Sequence, residues 1–193
     1  MAIQKLPPDV AGKIAAGEVI ERPASVVKEL IENSLDAGAS SIDIAFVAGG
    51  RNLLRVVDDG SGIPPEELCS AIERHYTSKL QTEEDLLRVR TFGFRGEALS
   101  SISAVAELSI ASRPKDTEIG RKLIVHGERL VGDYLHGSTP GTEVTVSRLF
   151  ENFPVRAEFL KSQRTEAFHI VNVVQNLALA NPSVRFSLSA DGA

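Results

Sequence analysis

The stretch from Arg22 to Ala39, RPASVVKELIENSLDAGA, has few ways to settle other than as an amphipathic helix. Pro23 suits a first helical turn, where the missing N–H costs nothing, and Gly38 suits the position just past the end. Between them Val26, Val27, Leu30, Ile31 and Leu35 recur at helical spacing and define one apolar face. A second face carries Glu29, Asn33 and Asp36 at i, i+4 and i+7, so their side chains line up. A carboxylate one turn before a carboxamide sets a proton acceptor beside a neutral oxygen ligand for a hard cation. That pairing suits the activation of water next to a magnesium-bound phosphate. It also describes an ordinary solvated helix face, and the helix alone does not separate the two.

The rest of the chain alternates helix and strand signals irregularly, without repeats or low-complexity segments. A short helix is expected over Pro8 to Ala16. Ile42 to Val47 and Leu53 to Val57 read as a hairpin turning at Gly49–Gly50. A helix is expected from Pro65 to His75, then a long polar segment from Tyr76 to Gly96, of the kind that serves as a functional lid or stays disordered. Another helix spans Glu97 to Ser103. Strands follow near Leu108 to Ser112, Lys122 to Val125, Arg129 to Leu135 and Glu143 to Ser147. Thr165 to Ala180 reads as a helix burying Phe168, Val171, Val174, Leu177 and Leu179, and Val184 to Leu188 as a last strand. Antiparallel hairpins with helices on one face make an α+β two-layer sandwich rather than a doubly wound parallel sheet.

Composition narrows the classes. With 193 residues, 42% hydrophobic, the chain is long enough for a proper core. A lone cysteine, Cys69, excludes a disulfide framework or cysteine-based zinc site within the chain, and reads as a half-buried helical residue. No apolar run is long enough to span a bilayer and the N-terminus has no secretory pattern, so no membrane partner and a cytoplasmic location are expected. A net charge of −5 argues against a uniformly basic nucleic-acid surface. Because the chain stops at SLSADGA, straight after a strand-like stretch, it is expected to be one domain, residues 1–193, of a longer protein.

Three further segments carry candidate chemistry. Asp58-Asp59-Gly60-Ser61-Gly62-Ile63 ends a strand: a carboxylate there can accept from an exocyclic amine such as that of adenine, and the glycines let backbone approach a flat ring. Such a turn can equally be only a turn. Thr91 to Leu99, TFGFRGEAL, opens a helix with glycines, so that backbone N–H groups and the positive helix end converge on an anion, with Arg95 as a fixed cation; otherwise it is a capped helix start. Thr142, in GTEVTV, is placed to bond a base or a structural water, or to serve only as a strand residue. No GxxxxGK[ST] loop, HExxH pattern or GxSxG elbow occurs. The four histidines, His75, His126, His136 and His169, are scattered.

In this order and spacing the segments resemble the GHKL (Bergerat) ATPases, the superfamily of gyrase B, a heat-shock chaperone, histidine kinases and the MutL mismatch-repair family. IAAGEVIERPASVVKELIENSLDAGA and FGFRGEALSSIS are similar to the signatures of the MutL N-terminal domain, and the resemblance runs from about Ile3 to the chain's end. It implies a mixed, mostly antiparallel sheet with helices on one face. It implies Glu29 as general base for the water attacking the γ-phosphate of ATP, Asn33 as the Mg2+ ligand, and Asp58 as the adenine reader, with Gly62 beside the ring and Thr142 on a neighbouring strand. Gly93, Phe94, Arg95, Gly96, Glu97, Ala98 and Leu99 correspond to the lid over the phosphates, and Thr77, Ser78 and Lys79 to its start. Asp36 also corresponds, either to a ligand contact or to a helix-end hydrogen bond.

The implied activity is slow, Mg2+-dependent ATP hydrolysis acting as a conformational switch in DNA mismatch repair. It includes a homodimer formed on ATP binding through the lid and the segment before Gly17. The implied partners are DNA, through the full-length protein, a MutS-like mismatch-recognition protein, and nicking or unwinding enzymes. The alternatives are a nucleotide-dependent binding module with little hydrolysis, or the ATPase domain of a gyrase-type topoisomerase, which the FGFRGEALSSIS lid disfavours. Two departures stand out. Glu158 takes the place of a basic residue in the run NFPVRAEFL, leaving Arg156, Lys161 and Arg164 as a DNA contact or a solvated helix face. The family's second-domain lysine and C-terminal dimerisation domain lie outside these residues, so weak or negligible hydrolysis and a mainly monomeric state without nucleotide are expected of the piece alone.

Overall fold

Helix α1 (Pro23–Asp36) begins and ends as its punctuation dictates, with Arg22 extended before Pro23 and Gly38 at φ +70° past its end. It belongs to a computed structural model that describes residues 4, 19–73, 76, 97–127 and 129–192. The expected helix over Pro8 to Ala16 and most of the segment from Tyr76 to Gly96 lie outside the described residues. After α1 come β1 (Ser41–Val47), a 3-10 turn (Ala48–Gly50), β2 (Leu53–Asp58) and the single helical turn α2 (Leu68–Ala71). Helix α3 (Ala98–Val105) leads into β3 (Glu107–Arg113), β4 (Gly120–His126), β5 (Arg129–His136) and β6 (Gly141–Ser147). Then come α4 (Pro154–Phe159), α5 (Gln163–Ala180) and β7 (Arg185–Ala190).

The seven described strands form one mixed sheet in the order β5-β4-β3-β6-β2-β1-β7. Every neighbouring pair is antiparallel except β1 with β7. Alternation then decides which side chains the helices cover. One cross-strand row runs Val125, Leu108, Val146, Leu54 and Phe46, and the next runs Leu123, Ile110, Val144, Val56 and Ile44; all ten are buried. Val26, Val27, Leu30 and Ile31 of α1, Ile102 of α3, and Ile170 and Val174 of α5 join them in one core. The opposite face carries ion pairs instead, Arg55–Glu143 at 2.7 Å, Asp43–Arg185 at 3.6 Å and Glu107–Arg148 at 3.6 Å. This is the two-layer α+β sandwich expected from the sequence.

Three expectations are corrected. Of the helix expected from Pro65 to His75, the described residues show only α2, and its flanks close by i→i+3 bonds. These are Glu67 N to Pro64 O (2.9 Å), Ile72 N to Cys69 O (3.2 Å) and Glu73 N to Ser70 O (3.1 Å). Cys69 is half-buried there, as expected. Helix α5 buries Glu166, Ile170 and Val174, while Phe168 and Leu179 are exposed. Apolar residues surround this helix, so periodicity alone does not choose a face; packing against α1 does. Finally, Arg156, Lys161 and Arg164 share no helix face, since α4 ends at Phe159 and Lys161 lies in the link to α5.

Candidate functional site

The rung after the two apolar rows is where the helix-covered face turns polar. Register aligns Ile42, Asp58, Thr142, Ser112 and Arg121 across β1, β2, β6, β3 and β4. Asp58 follows Leu54 and Val56 at strand spacing, and Ser112 follows Leu108 and Ile110, so both side chains point under the helices. The site is built where the apolar pattern of three strands breaks at the same level.

Asp58 is half-buried there. Its Oδ2 lies 2.7 Å from the Ser34 hydroxyl of α1, and its Oδ1 accepts from the Gly60 amide at 3.0 Å. Burial lifts its carboxyl above the ordinary range, and the bonds from Ser34, Gly60 and the Thr142 backbone pull the other way. Asp59 faces outward and does different work: its carboxylate accepts from the amides of Ser40 and Ser41 at 2.7 and 2.8 Å and from the Ser40 hydroxyl. The Ser40 bond in particular holds it below the ordinary range. Of two adjacent aspartates, one pins the α1–β1 turn and the other is aimed into the site.

The loop after Asp58 is gripped at both ends. Ser61 N donates to the Ala37 carbonyl at the end of α1 (3.0 Å), and Ile63 N donates to Ser112 Oγ (2.8 Å). Gly62, at φ +72°, has Arg113 O only 2.5 Å from where a Cβ would stand, and Gly141, at φ +121°, has Asp58 O at 1.9 Å. Glycine at these positions seams the loop onto β3 and β6. The expectation for Gly62 was close approach of a flat ring; its missing side chain faces the Arg113–Pro114 backbone.

Glu29 and Asn33 are half-buried on α1, one turn apart and on one side, with Asn33 directly before the Ser34 that touches Asp58. Glu29 stands five residues before Ser34, roughly 7.5 Å along the axis at 1.5 Å per residue. Asp36 is half-buried in the last turn. Glu97, Ala98 and Leu99 open α3, where the Glu97 carbonyl accepts from Ser101 N (2.8 Å) and Ser100 Oγ (3.0 Å) and Leu99 packs against the core. Thr77, Ser78, Lys79, Gly93, Phe94, Arg95 and Gly96 lie outside the described residues. Sequence reasoning missed Ser34 and Ser112. Each left a signal: a small hydroxyl on an otherwise apolar face.

A groove of about 460 Å3 is lined by Ser41, Asp43, Val57, Asp58, Asp59, Lys115, Thr139, Pro140 and Arg185. Asp43 and Val57 alternate with Ile42 and Asp58, so the groove opens mainly on the other face of the sheet and meets the polar rung at Asp58. Among the described residues no three His, Cys, Asp or Glu side chains gather as a metal cluster. No helix among the described residues is long and apolar enough to cross a membrane.

Comparison with known proteins bears on this arrangement. Residues 20–145 match the family described as histidine kinase-, DNA gyrase B-, and HSP90-like ATPase. The DNA mismatch repair protein MutL of Azorhizobium caulinodans is 52% identical over 191 residues, covering 99% of this chain and 30% of that protein. The Xanthomonas campestris MutL is 50% identical over 192 residues, covering all of this chain and 31% of its own length. The chain thus spans about a third of the relatives it matches. The Aquifex aeolicus MutL ATPase domain complexed with ADP superposes with a TM-score of 0.76 at 36% identity, covering 90% of this chain and 62% of that one. The chain belongs to the histidine kinase-, DNA gyrase B- and HSP90-like ATPase family, and within it its similarity is to the ATPase domain of MutL proteins.

Proposed function

We propose that this domain binds ATP with its purine against Asp58 and Thr142, hydrolyses it slowly, and uses the cycle as a conformational switch in DNA mismatch repair. The observation that carries the reading is the Ser34–Asp58 bond of 2.7 Å, which ties the carboxylate of the polar rung to the helix bearing Glu29 and Asn33. In this reading Asp58 accepts from the exocyclic amine of adenine, and Gly62 and Thr142 border the ring. The triphosphate runs along α1 toward Glu29, with Gly93, Phe94, Arg95, Gly96, Glu97, Ala98 and Leu99 about the phosphates and Thr77 and Lys79 nearby.

The Glu29 carboxylate takes a proton from water as the water oxygen bonds to the γ-phosphorus and the bond to the β–γ bridging oxygen breaks, releasing ADP and phosphate. The Asn33 amide oxygen would hold Mg2+, which when bound offsets phosphate charge. Such a general base contributes about 10²–10⁴ in rate. Glu29→Ala should therefore abolish phosphate release while nucleotide affinity stays within a few-fold. Equal release from both proteins would replace the enzyme reading with that of a nucleotide-binding module.

In the longer protein, ATP binding would favour a homodimer, and hydrolysis would release it. That switch would serve DNA, a MutS-like mismatch-recognition protein and downstream nicking or unwinding enzymes, in the cytoplasm. The MutL relatives are DNA mismatch repair proteins, which is the support for this part.

A further inference from the structure

Ser112 is 1% exposed, so no solvent substitutes for its partners. Three groups surround its Oγ: the Ile63 amide at 2.8 Å, the Gly141 carbonyl at 3.1 Å and the Thr142 hydroxyl at 2.8 Å. An amide only donates and a carbonyl only accepts, whereas a hydroxyl can do either with its single proton. All three contacts are satisfied together in one way. Ser112 donates to Gly141 O and accepts from Ile63 N–H and from the Thr142 O–H. Its valence is then full, and the Thr142 proton is committed to Ser112.

From this we infer that Ser112 is a positioning residue for purine selection. By holding the Thr142 proton it leaves Thr142 only lone pairs to present, beside a carboxylate that also only accepts. Where Thr142 faces the six-position, the rung therefore favours an amine there, as in adenine, and opposes a carbonyl, as in hypoxanthine or guanine; the N1–H of those two bases is a donor such a rung can still accept, so the selection is made at the six-substituent. A buried polar edge left facing its own kind discriminates more strongly than a change of shape. The inference rests on the reading that Asp58 and Thr142 hold the base.

The test is calorimetric binding of ATP and of inosine triphosphate, each with Mg2+, to the 193-residue chain and its variants. Ser112→Ala frees the Thr142 hydroxyl to donate, and should narrow the ATP preference about tenfold, the weight of one hydrogen bond. In a Thr142→Val background it should narrow it no further. Equal weakening of both nucleotides, or further narrowing in the double variant, overturns the inference by making Ser112 merely structural or independent of Thr142. If Ser112→Ala has no thermal transition, Thr142→Ser, which keeps the hydroxyl, should retain the preference that Thr142→Val loses; identical ratios overturn it. Asp58→Asn separates the two levels. A collapsed preference there with an intact one in Ser112→Ala removes only Ser112, whereas an unchanged preference in Asp58→Asn, or no ATP binding by the wild type, removes the base-binding reading and this inference with it.

Discussion

Ser34 Oγ lies 2.7 Å from Asp58 Oδ2 and 3.1 Å from the Leu30 carbonyl, so one proton is poised between a carboxylate and a helix carbonyl. The charged acceptor is the stronger of the two. Burial raises the Asp58 pKa and the Ser34 bond is the largest influence opposing that rise. Ser34→Ala should therefore push it higher. An ionised Asp58 is the acceptor in the proposed site, so ATP affinity is present above the folded-state pKa and lost as pH falls through it. The loss should begin above the usual aspartate range in the wild type and at a still higher pH in Ser34→Ala, with affinity near neutrality down roughly 3–10-fold for one charge-assisted bond. Nucleotide titration across a pH series reads both effects; superimposable profiles would remove Ser34 from the site.

Asn33 precedes Ser34 but points elsewhere around α1, about 100° away at 3.6 residues per turn. The two neighbours should then fail differently. Asn33→Ala should leave Mg2+-free binding of a non-hydrolysable ATP analogue nearly unchanged and remove most of the tightening that Mg2+ brings, on the order of 10–100-fold. Binding measured with and without Mg2+ checks this, and a variant that keeps the full Mg2+ effect would place the cation on another residue.

These two residues also mark how far the sequence could be read. Asp58 stands out because a carboxylate interrupts a strong apolar alternation, and Glu29 and Asn33 because they line up on the second face of an amphipathic helix; the strands fell where alternation put them, with every described strand found within a few residues of expectation. Ser34 and Ser112 stayed hidden because a serine on an apolar face looks like a tolerated small residue. Only register reveals that Ser112 and Thr142 are cross-strand partners, 30 positions apart in the chain. Glu166 is a sharper case: a carboxylate at 0% exposure, its Oε1 accepting from Lys161 N at 2.9 Å, shares the buried face of α5 with Ile170 and Val174, where hydropathy gives no reason to expect it.

Gly141 and Gly38 give a contrast in what a methyl group costs. A Cβ on Gly141 would stand 1.9 Å from the Asp58 carbonyl at φ +121°, whereas one on Gly38, at φ +70°, meets nothing within 4 Å. Gly141→Ala must displace the β2 end that carries Asp58 and should destabilise by roughly 2–4 kcal/mol, a melting-temperature fall of about 5–15 °C for a chain this size. Gly38→Ala carries only the backbone penalty, about 1 kcal/mol. Thermal denaturation of the two variants side by side decides it, and equal shifts would mean that the β2–β6 seam yields easily.

Helix α5 offers the cleanest check of the packing itself, because the apolar pattern and the structure disagree about it. Ile170 is fully buried against the core, and Phe168, two residues earlier, is 62% exposed. Truncating a buried isoleucine removes its transfer energy and leaves a cavity, so Ile170→Ala should cost about 2–5 kcal/mol. Phe168→Ala should stay within about 0.5 kcal/mol, as surface changes generally do. Were α5 turned to bury Phe168, the order would reverse and the aromatic truncation would be the costly one, at about 3–5 kcal/mol. Urea denaturation of both variants distinguishes the two packings. Because α5 packs against α1, the same measurement also tests the support under the helix that carries Glu29, Asn33 and Ser34.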